Sequence, residues 1–347
     1  LTGYNPITCT ALGSHDVHLT LDASLNETAY AALNGHKGVV AVYDYTTGDI
    51  KCLVSSPSYD PNNPPSDVNE NSAYEGVYLN RFFSSTYPPG SVFKIITTAA
   101  AIEEKDDLDQ FRYTCTGSLE VGGDVITCPY AHGADMDINQ CLACSCNGAY
   151  ATLAMELGGS TLAKYVEQAG LLDSLNVNGI STASGSFVAE EDGSAYLGWS
   201  GVGQDKDLVN PCSLLAFMGS IANEGEAVVP NLVGSETIGG TAIPAALPDG
   251  KDTYETYSAE TCQRLKEMMR NNVVTEYGQS QFGDLAVCAK SGTAEVGGGA
   301  EPHAWFAGFI DDPDHPLAFV VLVENGSAGA RVAGSVAAQV LAQATAE

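Results

Sequence analysis

Ser91-Val92-Phe93-Lys94 places a hydroxyl and an amine nearly one helical turn apart. Pro88-Pro89-Gly90 stands immediately before it, and Ile95 to Ile102 carries the pattern on as a helix. Proline is disfavoured inside a helix, so the helix is expected to start just after it, near Ser91. A serine there meets the positive end of the helix dipole, which favours a developing alkoxide. Lys94, three residues on, lies over the same face. A hydroxyl and an amine in contact form a nucleophile–base pair, provided the amine can be neutral. Of the nine lysines, only Lys94 has a serine three residues before it. Taken alone, the motif is equally a surface Ser and Lys on an ordinary helix.

Lys290-Ser291-Gly292-Thr293 is a second chemical element. It follows Leu285-Ala286-Val287 in an expected strand, with Trp305-Phe306 on the next one. A glycine in an edge strand lets a substrate backbone approach closely. A lysine and two hydroxyls can hold a carboxylate. A second cation near Lys94 would also lower the pKa of Lys94 and help it act as a base. The plainer alternative is an edge strand with a solvated lysine. Ser145-Cys146-Asn147 is the third. Ser-x-Asn also occurs at Ser24 and Ser174, so the tripeptide says little by itself. Ser145, however, leads into an expected helix from Gly148 to Leu157, where its simplest role is an N-cap.

These pieces need a scaffold. Val17, Leu19 and Leu21 alternate with polar residues as a short strand does, and Asp22 is placed to cap a helix through Ala32 that Asn34-Gly35 closes. Gly38 to Tyr45 and Ile50 to Ser55 form a hairpin around Thr46-Thr47-Gly48-Asp49. Pro57, Pro61, Pro64 and Pro65 mark a loop. Helical spacing recurs from Ser91, Gly148, Ser160, Pro211 and Ser258. Strand-like runs follow at Leu285 to Val296, Ala304 to Ile310 and Leu317 to Val323, and Gly334 to Ala346 reads as a last helix. Strands at both ends with helices between imply one sheet built from the two ends of the chain, and a second, helical lobe.

Composition removes some functions. The 347 residues include 43 acidic and 14 basic side chains, a net charge of −29. Phosphate contacts need clustered Lys and Arg, so nucleic acid is not an expected partner. The acidity reads as a solvated surface. No run of 18 apolar residues occurs, so no membrane span is expected within the chain. It starts at Leu1 with no signal-peptide pattern, and residues 1–16 read as the remnant of an upstream linker or pedestal.

In this order, the three motifs resemble the Ser-x-x-Lys, Ser-x-Asn and Lys-Ser/Thr-Gly set of penicillin-binding proteins and serine β-lactamases. Their surroundings narrow the resemblance. Leu53-Val54-Ser55-Ser56-Pro57-Ser58-Tyr59-Asp60-Pro61-Asn62, Tyr87-Pro88-Pro89-Gly90-Ser91, Ile221-Ala222-Asn223-Glu224-Gly225 and Lys290-Ser291-Gly292-Thr293-Ala294-Glu295 are similar to the transpeptidase domain of the monofunctional, class B group, over residues 17–347. The resemblance implies an α/β fold, a mostly antiparallel five-stranded sheet flanked by helices, plus a largely helical lobe. It implies a peptidoglycan D,D-transpeptidase acting on stem peptides ending in D-Ala-D-Ala, acylated by β-lactam antibiotics and needing no cofactor. Ser91 would be the nucleophile and Lys94 its base. Ser145 would relay a proton, held with Asn147 against Lys94 and substrate. Lys290 and Thr293 would bind the terminal carboxylate, with Ser291 and Gly292 lining the substrate strand. Backbone N–H groups of Ser91 and Thr293 would form the oxyanion hole. A membrane glycosyltransferase is the implied partner, and the extracytoplasmic face of the bacterial plasma membrane the implied place, with the anchor upstream of this chain. The rivals are a D,D-carboxypeptidase, a β-lactam sensor and a β-lactamase. A class A β-lactamase needs a Glu-x-x-x-Asn element soon after the second motif. The one match after Ser145, Glu267 to Asn271, falls late and inside an expected helix, and reads as chance.

The cysteines stay open. Gly122-Gly123 is a two-residue hairpin turn between Cys115 and Cys128, which sets Gly117 opposite Cys128 and Cys115 diagonally on the same face. His132, Cys141, Cys144 and Cys146 follow. The spacing matches no standard zinc motif, so a disulfide, a zinc site and plain core cysteines all stay open, and no residue is assigned to a metal. His303, before Trp305, reads as a packing residue, and Glu103-Glu104 and Asp106-Asp107 as charge at a helix end.

Overall fold

The run Val39-Val40-Ala41-Val42 is apolar at every position, which suits a strand covered on both faces. Successive side chains of a strand point to opposite sides. Val39, Ala41 and Tyr43 accordingly join one core and Val40 and Val42 another. The strand Leu317–Val323 divides the same way, with Ala318, Val320 and Leu322 on the first side and Phe319, Val321 and Val323 on the second. The computed structural model describes residues 4–5, 10–11, 15–204, 206–238, 241–244 and 252–346. Segment 1–16, expected as an upstream remnant, lies largely outside the described residues.

Five antiparallel strands make the central sheet, in the order Val287–Ala294, His303–Ile310, Leu317–Val323, Gly38–Asp44 and Ile50–Ser56. The two ends of the chain thus meet in one sheet, as expected. The early strand His15–Leu19 does not join it and pairs with Val233–Ile238 instead. One face of the sheet is covered by helices Ala23–Leu33 and Gly329–Ala344. The other is covered by Pro211–Ala222, a helix buried along its whole length. A helix apolar all round belongs in a core. Asn210 starts it: the side-chain oxygen accepts from the N–H of Cys212 and Ser213, and the side-chain amide donates to the carbonyls of Phe82, Phe83 and Ser85.

The helical lobe packs helix Lys94–Glu104 against Asn147–Leu157, Gly159–Gln168 and Ala259–Asn272. Two helices in it carry no strong apolar period and were not expected, Ile138–Ala143 and Ala195–Val202. Hairpin Ser118–Val121 and Asp124–Thr127 turns at Gly122-Gly123, and the Cys128 N–H donates to Gly117 O at 2.9 Å, the register expected from sequence.

Candidate active site

The segment before Ser91 is held from three sides. The Trp305 indole donates to Pro88 O at 2.9 Å. Tyr87 donates to Glu324 at 2.8 Å, and Glu324 also takes the buried Arg81 guanidinium at 2.7 Å. Gly90 has φ +53°, and a Cβ there would lie 2.6 Å from Thr293 O. A glycine is therefore needed where the Pro-Pro-Gly turn crosses the edge strand. Gly292 answers it from the strand, since a Cβ there would meet Pro89 O at 2.9 Å and Val92 Cγ2 at 2.9 Å. Its missing side chain makes room for the turn that carries Ser91 rather than for an incoming peptide. The helix does not begin at Ser91 either. Gly90–Phe93 is a 3₁₀ turn and the α-helix starts at Lys94. The tighter turn lets the chain bend off the strand before regular helix begins.

Lys94 is fully buried, yet its ammonium is surrounded by acceptors. It reaches Ser145 O at 2.6 Å, Asn147 Oδ1 at 2.8 Å and Ser145 Oγ at 3.1 Å. Lys290, also fully buried, reaches the same Ser145 Oγ at 3.0 Å and Ser291 O at 2.9 Å. One hydroxyl therefore bridges two lysines. Burial pulls both lysines down to about 7, helped at Lys94 by the charge of Lys290. Ser145 is not an N-cap. It has φ +57°, and Cys146 occupies the cap position of helix Asn147–Leu157 without a side-chain bond to it. The left-handed turn swings the Ser145 hydroxyl toward the lysines. Asn147 is braced from behind by donating to Thr127 O at 2.7 Å.

Ser91, Ser145, Asn147, Ser291 and Thr293 line one cleft of about 440 Å³, together with Trp199, Gln204 and Tyr130. Lys94 and Lys290 sit beneath its floor. Strand Val287–Ala294 is at the edge of the sheet, paired only with His303–Ile310. In an antiparallel pair, alternate residues turn both backbone groups away from the partner. Ser291 N–H donates outward to the Tyr277 hydroxyl at 3.1 Å, and Thr293 O receives Gln204 Nε2 at 3.4 Å. Thr293 N–H, two residues from Ser291, therefore also faces the cleft.

Tyr277 was not singled out from sequence. Its hydroxyl touches Ser291 N at 3.1 Å, Ser291 Oγ at 3.2 Å and Lys290 Nζ at 3.4 Å. It closes a π-helical turn, Val273–Tyr277, at the end of helix Ala259–Asn272. Such turns often stand at functional sites, and only the β-branched Val273-Val274-Thr275 run hints at it. Tyr277→Phe should cost about 0.5–1.5 kcal/mol, because it removes the partner of a part-buried N–H, and should slow acylation by penicillin as Lys290 loses a partner. Denaturant midpoints and adduct formation rates check both.

The other candidates fall elsewhere. Glu267 and Asn271 line a separate depression with Gln140 and Thr275. His303 accepts from Asn325 N at 3.1 Å and packs edge-on against Tyr87, a packing role. Glu103 and Glu104 take hydrogen bonds from Tyr165, Thr261 and Lys164. Cys141 and Cys144 point to Met136, while Cys115, Cys128, His132 and Cys146 converge.

Fold and site together define a class of domain in which an antiparallel sheet sets its edge strand, with one of two buried lysines, against a serine-lined cleft. Residues 38–344 match the penicillin binding protein transpeptidase domain model, and the chain belongs to that family. Among curated relatives, peptidoglycan D,D-transpeptidase PbpA of Mycobacterium tuberculosis is 30% identical over 309 residues, covering 84% of this chain and 62% of the relative. PbpA of Mycolicibacterium smegmatis is 30% identical over 365 residues, covering 95% and 71%. Among solved structures, the ceftriaxone acyl-enzyme complex of penicillin-binding protein A from M. tuberculosis superposes with a TM-score of 0.88 at 26% identity, covering 98% of this chain and 82% of that one. The chain spans about three fifths of the length of the M. tuberculosis relative.

Proposed function

We propose that this chain forms peptidoglycan cross-links as a class B D,D-transpeptidase through an acyl-enzyme on Ser91. The observation that carries the reading is the single Ser145 hydroxyl shared by two buried lysines, below a cleft that also exposes Ser91 and Thr293. Neutral Lys94 takes the Ser91 proton as Oγ attacks the penultimate carbonyl of a stem peptide. The Lys94–Ser145 contact then returns that proton to the departing D-Ala amine. The Thr293 hydroxyl holds the terminal carboxylate, with Ser291 beside it on the edge strand and the charge of Lys290 attracting it from beneath the floor. The N–H groups of Ser91 and Thr293 take the oxyanion, each worth about 10²–10³-fold in rate. Elsewhere the edge of Val287–Ala294 is already capped by side chains, from Arg270 at Val287 O to Lys290 at Ser291 O, so a bound peptide meets the strand at Thr293. An amine from a second stem peptide then attacks the acyl-enzyme. β-Lactams enter the same path and stop at the adduct.

We place the enzyme on the extracytoplasmic face of the plasma membrane, with a membrane glycosyltransferase supplying strands. The test is a stem-peptide assay with an added amine acceptor. D-Ala release with cross-linked product at least as abundant as hydrolysed product supports transpeptidation. Release with hydrolysis alone would make the chain a carboxypeptidase. Fast nitrocefin turnover would make it a β-lactamase, and neither release nor turnover with a stable penicillin adduct would leave a sensor.

A further inference from the structure

Four metal-ligating side chains meet beside the Ser145 turn, and two of them, Cys128 and His132, line the same cleft as Ser91. The sulfurs of Cys115, Cys128 and Cys146 and a ring nitrogen of His132 all lie within 4.8 Å of one another. Cys115 ends the short strand Tyr113–Cys115, Cys128 follows the hairpin, and Cys146 precedes helix Asn147–Leu157. Cys115 Sγ is 3.3 Å from His132 Nδ1, and Cys128 Sγ is 3.9 Å from Cys146 Sγ. Zinc bonds of about 2.3 Å to sulfur and about 2.0–2.1 Å to nitrogen, at tetrahedral angles, put S···S edges near ~3.8 Å and S···N edges near ~3.6 Å. The two observed separations lie close to those edges. A disulfide would engage two sulfurs and leave a third sulfur and the imidazole without a role. His132 is steadied by the Tyr130 ring at 4.6 Å.

We propose that Cys115, Cys128, His132 and Cys146 bind one zinc ion, and that this ion positions Ser145 and Asn147. Three thiolates and an imidazole suit zinc among the common divalent ions. A full protein set of four, with no position left for water, is a structural site and not a catalytic one. The ligands release their thiol protons to solvent on binding. Two of the four are chain neighbours of the site described above. Cys146 separates Ser145 from Asn147, and Cys128 follows Thr127, whose carbonyl braces Asn147. The metal would therefore tie the left-handed Ser145 turn to the hairpin.

The whole 347-residue chain, purified with zinc sulfate and reductant, tests this. The expected result is one zinc per chain by elemental analysis, reduced to background in Cys128→Ser and His132→Ala. Cobalt substitution should produce the thiolate charge-transfer band and the intense visible band of a tetrahedral site. If the variants fail to fold, wild-type protein stripped with a chelator and reloaded replaces them. Stripping should lower the unfolding temperature and slow penicillin acylation at least tenfold, and zinc should restore both. The acylation arm rests on the transpeptidase reading, whereas the metal count, the cobalt spectrum and the unfolding temperature do not. No bound zinc, zinc unchanged in both variants, or a Cys128–Cys146 disulfide in the reduced, zinc-supplied protein would each overturn the site. Stoichiometric zinc whose removal leaves acylation unchanged, in protein that still acylates, would overturn the positioning role.

Discussion

Ser91→Ala will fold normally and form no covalent adduct with penicillin G, whereas the parent chain gains the mass of one penicillin. Three serines line the cleft, so the choice among them has to be argued. Ser145 Oγ is already held by Lys94 and Lys290, and Ser291 Oγ by Tyr277. Both serve as hydrogen-bond bridges. Ser91 alone stands on the 3₁₀ turn that opens helix Lys94–Glu104, where the dipole equivalent of about half a positive charge favours an alkoxide. Removing a nucleophile of this kind costs on the order of 10⁶ in rate, beyond what an adduct assay detects. The Ser91 side chain is only partly buried, so stability should change by no more than about 0.5 kcal/mol. Intact-protein mass with peptide mapping reads the result. An adduct that persists in Ser91→Ala, mapped to Ser145 or Ser291, would move the nucleophile there.

The parts of this molecule that were legible in the sequence are those with a strong period or an unambiguous punctuation. Strand runs at Gly38, Ala304 and Leu317 show as apolar stretches because the sheet is covered on both faces. Asp22 and Asn34-Gly35 bracket helix Ala23–Leu33 as start and stop residues should. The motif residues were legible as types but not as contacts. Sequence spacing pairs Ser91 with Lys94, but in the folded chain the three hydrogen bonds at the Lys94 amine go to Ser145 and Asn147, more than fifty positions on. Ser145 reads as an N-cap until its positive φ is known, because a left-handed serine leaves no mark in composition. Helix Ile138–Ala143 had a readable start, with Asp137 and Gln140 forming a capping box. It is only six residues long, too short for a period to register. Tyr277 enters through a π-turn, a distortion that tertiary packing imposes and local sequence does not announce. The cysteine cluster is the clearest limit. The hairpin register was readable, but the approach of Cys146 and His132 depends on how three stretches fold together.

Acylation by penicillin should rise with pH through about 7 and then fall, and Lys94→Ala should lose about 10²–10⁴-fold in rate. The sign follows from the protons. At acid pH both Lys94 and Lys290 are ammonium ions, Lys94 cannot accept from Ser91, and the rate drops by about tenfold per pH unit. Burial lowers each lysine to about 7. Because the two face each other across one hydroxyl, the first proton leaves the pair and not one residue. The singly protonated pair is the active form, with a base for Ser91 and a cation for the substrate carboxylate. Loss of the second proton removes that cation and turns the profile down. Lys290→Met separates the two effects. It weakens carboxylate binding, and it removes the charge that disfavours protonated Lys94, so the acid limb should move to higher pH. Second-order acylation rates across the neutral range, for the parent chain and both variants, decide it. A flat profile, or an acid limb that moves to lower pH in Lys290→Met, would assign the base to another group.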